Sequence, residues 1–159
     1  MDKHYKNIRN LIENNLIEIE KNEIKNNYHT LITYHNIGMQ IVEAQKDVKT
    51  GYRDGLLQKY SMKLAKEFGN KYNIDNLKRY RQFYLLFPKG DTLCHQLNWS
   101  HYRTILPIKD ESKRNYYINS VVEHNFSVRQ LQEYIKSNAY ERLVNKDNIK
   151  HTTYKLIGE

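Results

Sequence analysis

Residues 55–88 hold two runs in which apolar side chains return at helical intervals, joined by a connection too short for any other element. In DGLLQKYSMKLAKEFG, Leu56, Tyr60, Leu64 and Phe68 fall on one face, and Gly69 stands where a helix C-terminal cap belongs. After Asn70–Tyr72, the run NIDNLKRYRQFYLLFP opens with Asn73 as an N-cap and ends at Pro88. Tyr72 before the cap and Leu77 four residues after it are placed as a hydrophobic staple. Leu77, Tyr80, Tyr84 and Phe87 make the expected buried stripe. At ~100° per residue the opposite face carries Lys78, Arg79 and Gln82, with Arg81 at its edge. Two short helices around a glycine-containing turn, with cations and an amide on the outside of the second, fit a helix-turn-helix pattern.

The flanking segments are also helical in pattern, so the expected class is mainly α, with a long N-terminal helix or helix pair ahead of the helix-turn-helix-like unit. From Tyr5 to Gln45 apolar residues recur at Ile8, Ile12, Leu16 and Ile19, then Tyr28, Leu31, Ile41 and Val42, with a break expected near Asn26–Asn27. Such a long amphipathic stretch suits a homodimer surface. Ser100 is the expected N-cap of a short helix stopped by Pro107, and a further helix is expected from Asp110 to about Glu123. The last helix starts at Ser127, with Gln130 as capping-box partner and Phe126 with Leu131 as staple, and is expected to run through Leu131, Tyr134, Ile135 and Leu143. One domain over residues 1–145 is expected, its helix-turn-helix-like unit at 51–90, with 146–159 as a tail or linker in which HTTYKLIGE is a short strand or loose end. Six glycines, two prolines and no apolar run of the ~18 residues that span a bilayer point to a cytoplasmic protein held by packing alone. The single cysteine, Cys94, has no partner for an internal disulfide.

The formal charge of +8 is unevenly placed. Residues 1–50 carry seven basic and seven acidic residues, whereas 51–90 carry nine basic against three acidic, a net +6. A basic segment of this kind favours polyanions through counterion release, although the same lysines also suit a solvated surface.

Four collinear blocks, TYHNIGMQIVE (33–43), NLKRYRQFYLLFP (76–88), NWSHYRTILPIKD (98–110) and FSVRQLQEYIKSNAYERL (126–143), resemble the N-terminal domain of the YhcG family. That resemblance implies a helical, helix-turn-helix-like, DNA-binding domain that usually precedes a PD-(D/E)xK nuclease domain. Two departures stand out. Where relatives usually carry two arginines before the Asn-Leu of the second block, this chain has Ile74 and Asp75, and the nuclease half is absent from the 159 residues.

The functional expectation is a non-catalytic module for double-stranded DNA that tethers or regulates a nuclease or acts alone in a mobile-element or defence setting. Lys78, Arg79, Arg81 and Gln82 are the first candidates for contact: Gln pairs with adenine, Arg with guanine, and Lys with phosphate. Lys59, Lys63 and Lys66 on the preceding helix follow, because the first helix of such a motif crosses the backbone. His101 and Arg103 are within the reach of a phosphate, while Trp99 reads as a packing anchor and Arg114, Arg129 and Arg142 as ion-paired structural residues or contacts. The competing expectation is a protein-interaction module that holds a nuclease subunit or other helical partner. No enzyme is expected. Cys94 beside His95 is not a nucleophile–base pair, the seven histidines form no HxxxH or HExxH, and Asp110, Glu111 and Lys113 lack the upstream acid of a nuclease triplet. No metal or cofactor site is expected.

Overall fold

The computed structural model describes residues 2–21, 23–48 and 53–147. Among them every regular element is helical, with no strand, and no helix is long and apolar enough to cross a membrane. They fall into two compact units, the first ending at Tyr102 and the second beginning at Arg103.

The first unit opens with α1 (Lys3–Lys21) and α2 (Glu23–Asp47). Asp2 caps α1, accepting hydrogen bonds from the amides of His4 at 2.9 Å and Tyr5 at 3.3 Å. The helices form an antiparallel hairpin: His4 meets Asp47, Asn7 meets Gln40, and Asn15 meets His29 and Thr30. The chain is helical through Asn26 and Asn27, and α1 ends at Lys21 instead. Asparagine costs a helix only about 0.7 kcal/mol relative to alanine, less than the packing of α2 returns. Ile8 and Ile12 close against the core, whereas Leu16 and Ile19 stay exposed, so the sequence stripe is divided between burial and surface.

Next come α3 (Arg53–Phe68), a 3-10 turn at Asn70–Tyr72 and α4 (Ile74–Leu86). The signals read from the sequence operate as expected. Gly69 has φ +95° and its amide closes α3 on the Ala65 carbonyl at 2.9 Å, while the Asn73 side chain accepts from the Asn76 amide at 2.9 Å. The buried stripe of α4 is Leu77, Tyr80 and Phe83; Tyr84 and Phe87 are only half-buried. The stripe turns by one residue because α2 crosses here. A Cβ on Gly38 would stand 2.0 Å from the Tyr80 carbonyl oxygen, so the two backbones meet with no side chain between them. Beside this crossing the buried His35 donates from Nε2 to the Phe87 carbonyl at 2.6 Å, tying α2 to the end of α4. Tyr34 stacks on Tyr80 at 4.3 Å between ring centroids, and Trp99 packs on Tyr34, Tyr80 and Phe83 as the anchor its position suggested.

The short α5 (Trp99–Ile105) carries the chain from one unit to the next. Its cap is Asn98, not Ser100: the Asn98 side chain accepts from the His101 amide at 3.0 Å, and His101 Nδ1 accepts from the Asn98 amide at 3.1 Å. Asparagine caps at least as well as serine, and the imidazole supplies the reciprocal bond of a capping box.

In the second unit Asp110 caps α6 (Glu111–His124), and Asn125, with φ 54°, turns the chain into α7 (Val128–Lys136). The Ser127–Gln130 capping box is present as read from the sequence. The last helix is not continuous. Asn138 is left-handed, with φ 56°, and helix resumes at 139–147 as α8. Asparagine tolerates that conformation, and the Arg142 guanidinium holds the turn by donating to the Ser137 carbonyl at 3.1 Å. Leu143 is consequently exposed, while Tyr117, Val121, Leu131 and Ala139 are buried. The strand or loose end expected at HTTYKLIGE lies outside the described residues.

Candidate nucleic-acid interface

On α3, a face from Gly55 to Lys66 points to solvent, because Leu57, Tyr60 and Leu64 take the opposite side into the core. Lys59, Lys63 and Lys66 all stand on it. Lys63 Nζ lies 5.3 Å from the centre of the Tyr5 ring, a cation–π contact that orients the ammonium without neutralising it. No residue between Gly55 and Lys66 is acidic. Glu67 lies on the flank and pairs with Arg9 of α1 at 2.6 Å, and Glu13 is 3.5 Å from the same guanidinium.

On α4 the exposed stripe reads Asp75, Lys78, Gln82 and Leu85. Lys78 and Gln82 therefore stand where the sequence placed them. The two arginines do not join them. Arg79 sits on one edge, half-buried, and its Nη1 donates to Asn76 Oδ1 at 2.9 Å. Arg81 sits on the other, where Nε donates to Oε1 of the buried Gln45 at 2.6 Å, so the side chain is turned toward α2. Arg103 is exposed on α5. His101 is 6 % exposed and engaged in the α5 cap, which removes it from the set of phosphate contacts. Among the described residues, none of Lys59, Lys63, Lys66 and Lys78 is in a salt bridge.

Compared with models of protein families, the chain matches the DUF1016 N-terminal domain over residues 7–142. The chain belongs to the YhcG/DUF1016 family. No curated protein and no solved structure matches it significantly.

In this YhcG-family chain, Ile74 and Asp75 at the start of α4 have a local explanation. Ile74 packs against the core, and Asp75 lies exposed in the first turn of α4, where the partial positive charge of the helix N-terminus favours a carboxylate. Both residues suit the fold, and neither brings a cation to the leading end of α4. Of the other arginines, Arg114 is buried and donates from Nη1 to the carbonyls of Ile108 and Lys109, each at 2.9 Å; Arg142 fastens Ser137; Arg129 is 3.6 Å from Glu133. The Cys94 thiol donates to Gln96 Oε1 at 2.9 Å while the His95 ring stacks on Tyr28, so the two point to different neighbours. Sequence reading missed the Arg9 flank and the exposed Gln58 and Met62 between the lysines of α3; the acid-free run from Gly55 to Lys66 was the available signal.

Proposed function

We propose that this YhcG-family domain is a non-catalytic DNA-binding module that brings a nuclease or regulator to DNA, acting through the α3–turn–α4 unit. One observation carries the reading: Lys59, Lys63, Lys66 and Lys78 are exposed on two helices joined by a single capped turn, and among the described residues none of the four is in a salt bridge. Cations so placed gain by displacing the counterions of a duplex. If all four meet phosphate, the slope of log affinity against log salt is about −3 to −4, and binding weakens about a hundredfold between roughly 50 and 200 mM salt. Fluorescence anisotropy with a labelled duplex at those two concentrations tests this. Absence of binding, or binding indifferent to salt, removes the reading.

A second reading, a protein-interaction module, is favoured by a different surface. Leu16, Ile17 and Ile19 near the end of α1 are 48 %, 50 % and 38 % exposed. Three neighbouring aliphatic side chains in water suit a helical partner or a second copy of the chain. A sedimentation mass above that of the monomer, abolished by Ile17→Glu, together with no DNA affinity, decides for it.

A further inference from the structure

We infer that α3, and not α4, is the helix that docks on DNA, and that it lies along the sugar–phosphate backbone without reading base sequence. The inference rests on the DNA-binding reading above and specifies how that surface is used. In a helix-turn-helix unit the second helix enters the major groove with its N-terminal residues against the base edges. Those residues of α4 are unsuited to the task. Ile74 is packed against the core, and Asp75 presents a carboxylate to solvent. The Asn76 amide is occupied on both sides, Oδ1 accepting from Arg79 and Nδ2 donating to the Asn70 carbonyl at 3.1 Å. A groove approach would carry that carboxylate between two rows of phosphates, with Arg81 held aside by Gln45. Farther along the exposed stripe of α4 only Lys78 is cationic, and the stripe ends on Leu85, 48 % exposed.

The outer face of α3 has the opposite character. Lys59, Lys63 and Lys66 follow at i, i+4 and i+7, spanning about 10 Å of helix axis. A duplex strand carries one phosphate per ~3.4 Å of the duplex axis and, winding obliquely, one per roughly twice that along its own path, so a helix laid along it meets about two to three phosphates over that length, within reach of flexible lysine side chains. Gly55 continues the face with no atom within 4 Å of the position a Cβ would take, leaving its backbone open to close approach. Met62, 69 % exposed among the lysines, offers a flexible apolar side chain to the deoxyribose between phosphates. Three point charges without a rigid hydrogen-bonding fork recognise phosphate and not a particular base.

The test compares two surface variants of the whole chain on two duplexes of unrelated sequence, each titrated across salt. Lys59→Ala/Lys63→Ala/Lys66→Ala should reduce the salt slope by about 2 to 3 and lower affinity at least a hundredfold at ~0.15 M salt, equally for both duplexes. Lys78→Ala/Gln82→Ala should reduce the slope by no more than about one and leave the ratio of the two affinities unchanged. Replacing the same three α3 lysines by arginine should restore the slope. That restoration, with unchanged circular dichroism, separates lost contact from lost fold. The inference is overturned if the α3 variant binds as the native chain does, or if the α4 variant alters discrimination between the duplexes. If the native chain binds neither duplex, the DNA-binding reading itself fails.

Discussion

Gly38 and Gly55 offer a matched pair of substitutions whose effects should differ in sign. Both glycines are helical, so replacement by alanine removes the same backbone freedom from the unfolded chain and adds the same helix propensity, about 1 kcal/mol in favour of the variant. They differ in what a methyl group meets. At Gly55 it meets nothing within 4 Å; at Gly38 it meets the Tyr80 carbonyl oxygen at 2.0 Å, its carbon at 2.7 Å and Tyr84 Cβ at 3.0 Å. A carbon rests about 3.3–3.6 Å from a carbonyl oxygen, so α2 and α4 must separate by more than ~1 Å. The obstructing atoms are mainly backbone, and no rotamer change relieves them. Overpacking relieved by side-chain movement costs about 1–3 kcal/mol; here the Tyr34–Tyr80–Trp99 packing must open as well, which places the cost at or above the upper end. After the propensity gain, Gly38→Ala should destabilise the first unit by at least ~2 kcal/mol, and Gly55→Ala should stabilise it by about 0.5–1 kcal/mol. Trp99, the one tryptophan, packs within that unit and reports its unfolding directly. Urea titrations followed by its fluorescence should therefore give midpoints moved in opposite directions, with little change in slope. A Gly38→Ala protein as stable as the native chain would refute the close approach of α2 and α4.

Two further outcomes follow from contacts in the same unit. The hydrogen bond from His4 to Asp47, at 2.6 Å, raises the His4 pKa against the opposing effect of burial, with Gln40 accepting at the other ring nitrogen. The imidazolium is thus favoured in the folded state. Its contribution is complete below the unfolded value of ~6.5 and fades as pH rises through the higher folded value, so the stability gap between native and His4→Gln should be full in mildly acid solution and narrow as pH rises through that folded value, which paired denaturation curves check. Arg81→Ala should leave the salt slope for DNA unchanged while lowering stability by ~1–3 kcal/mol, because it removes the charge-assisted hydrogen bond to the buried Gln45 Oε1 without moving any outward-facing cation; parallel DNA and urea titrations separate the two effects.

What could be read from the sequence was what neighbouring residues decide among themselves. Gly69, Asn73 and the Ser127–Gln130 pair act over three or four residues, and each cap stands where it was expected. Features set by distant partners were not legible in this way. The stripe of α4 was turned toward Phe83 by the crossing of α2 at Gly38, more than forty residues earlier, and Arg81 was drawn inward by Gln45. His101 looked like a surface cation because its reciprocal bonds with Asn98 depend on where α5 begins. The turn at Asn138 was hidden by apolar residues that kept helical spacing across it, although Ser-Asn is a common place to stop a helix. Within the helix-turn-helix-like unit the motif drew attention to α4, whereas three exposed lysines, Lys59, Lys63 and Lys66, stand on α3 and one, Lys78, on α4.

Asp2 does more than cap α1. Burial disfavours its charge, yet the Tyr60 hydroxyl at 2.5 Å and the amides of Tyr5 and His4 hold the carboxyl below its ordinary range. One side chain thus joins the first turn of the first helix to the middle of the third. His35 waits in the same way for Phe87, and Tyr34 for Trp99. On a ribosome adding about 5–20 residues each second, the interval from Asp2 to Trp99 lasts about 5–20 s. Over that time the growing chain has α1 and α2 to pair with each other, while the aromatic residues that cover them, Tyr60, Tyr72, Tyr80 and last Trp99, arrive one after another. The core of this unit is therefore complete only once Trp99, near its end in the sequence, has been made.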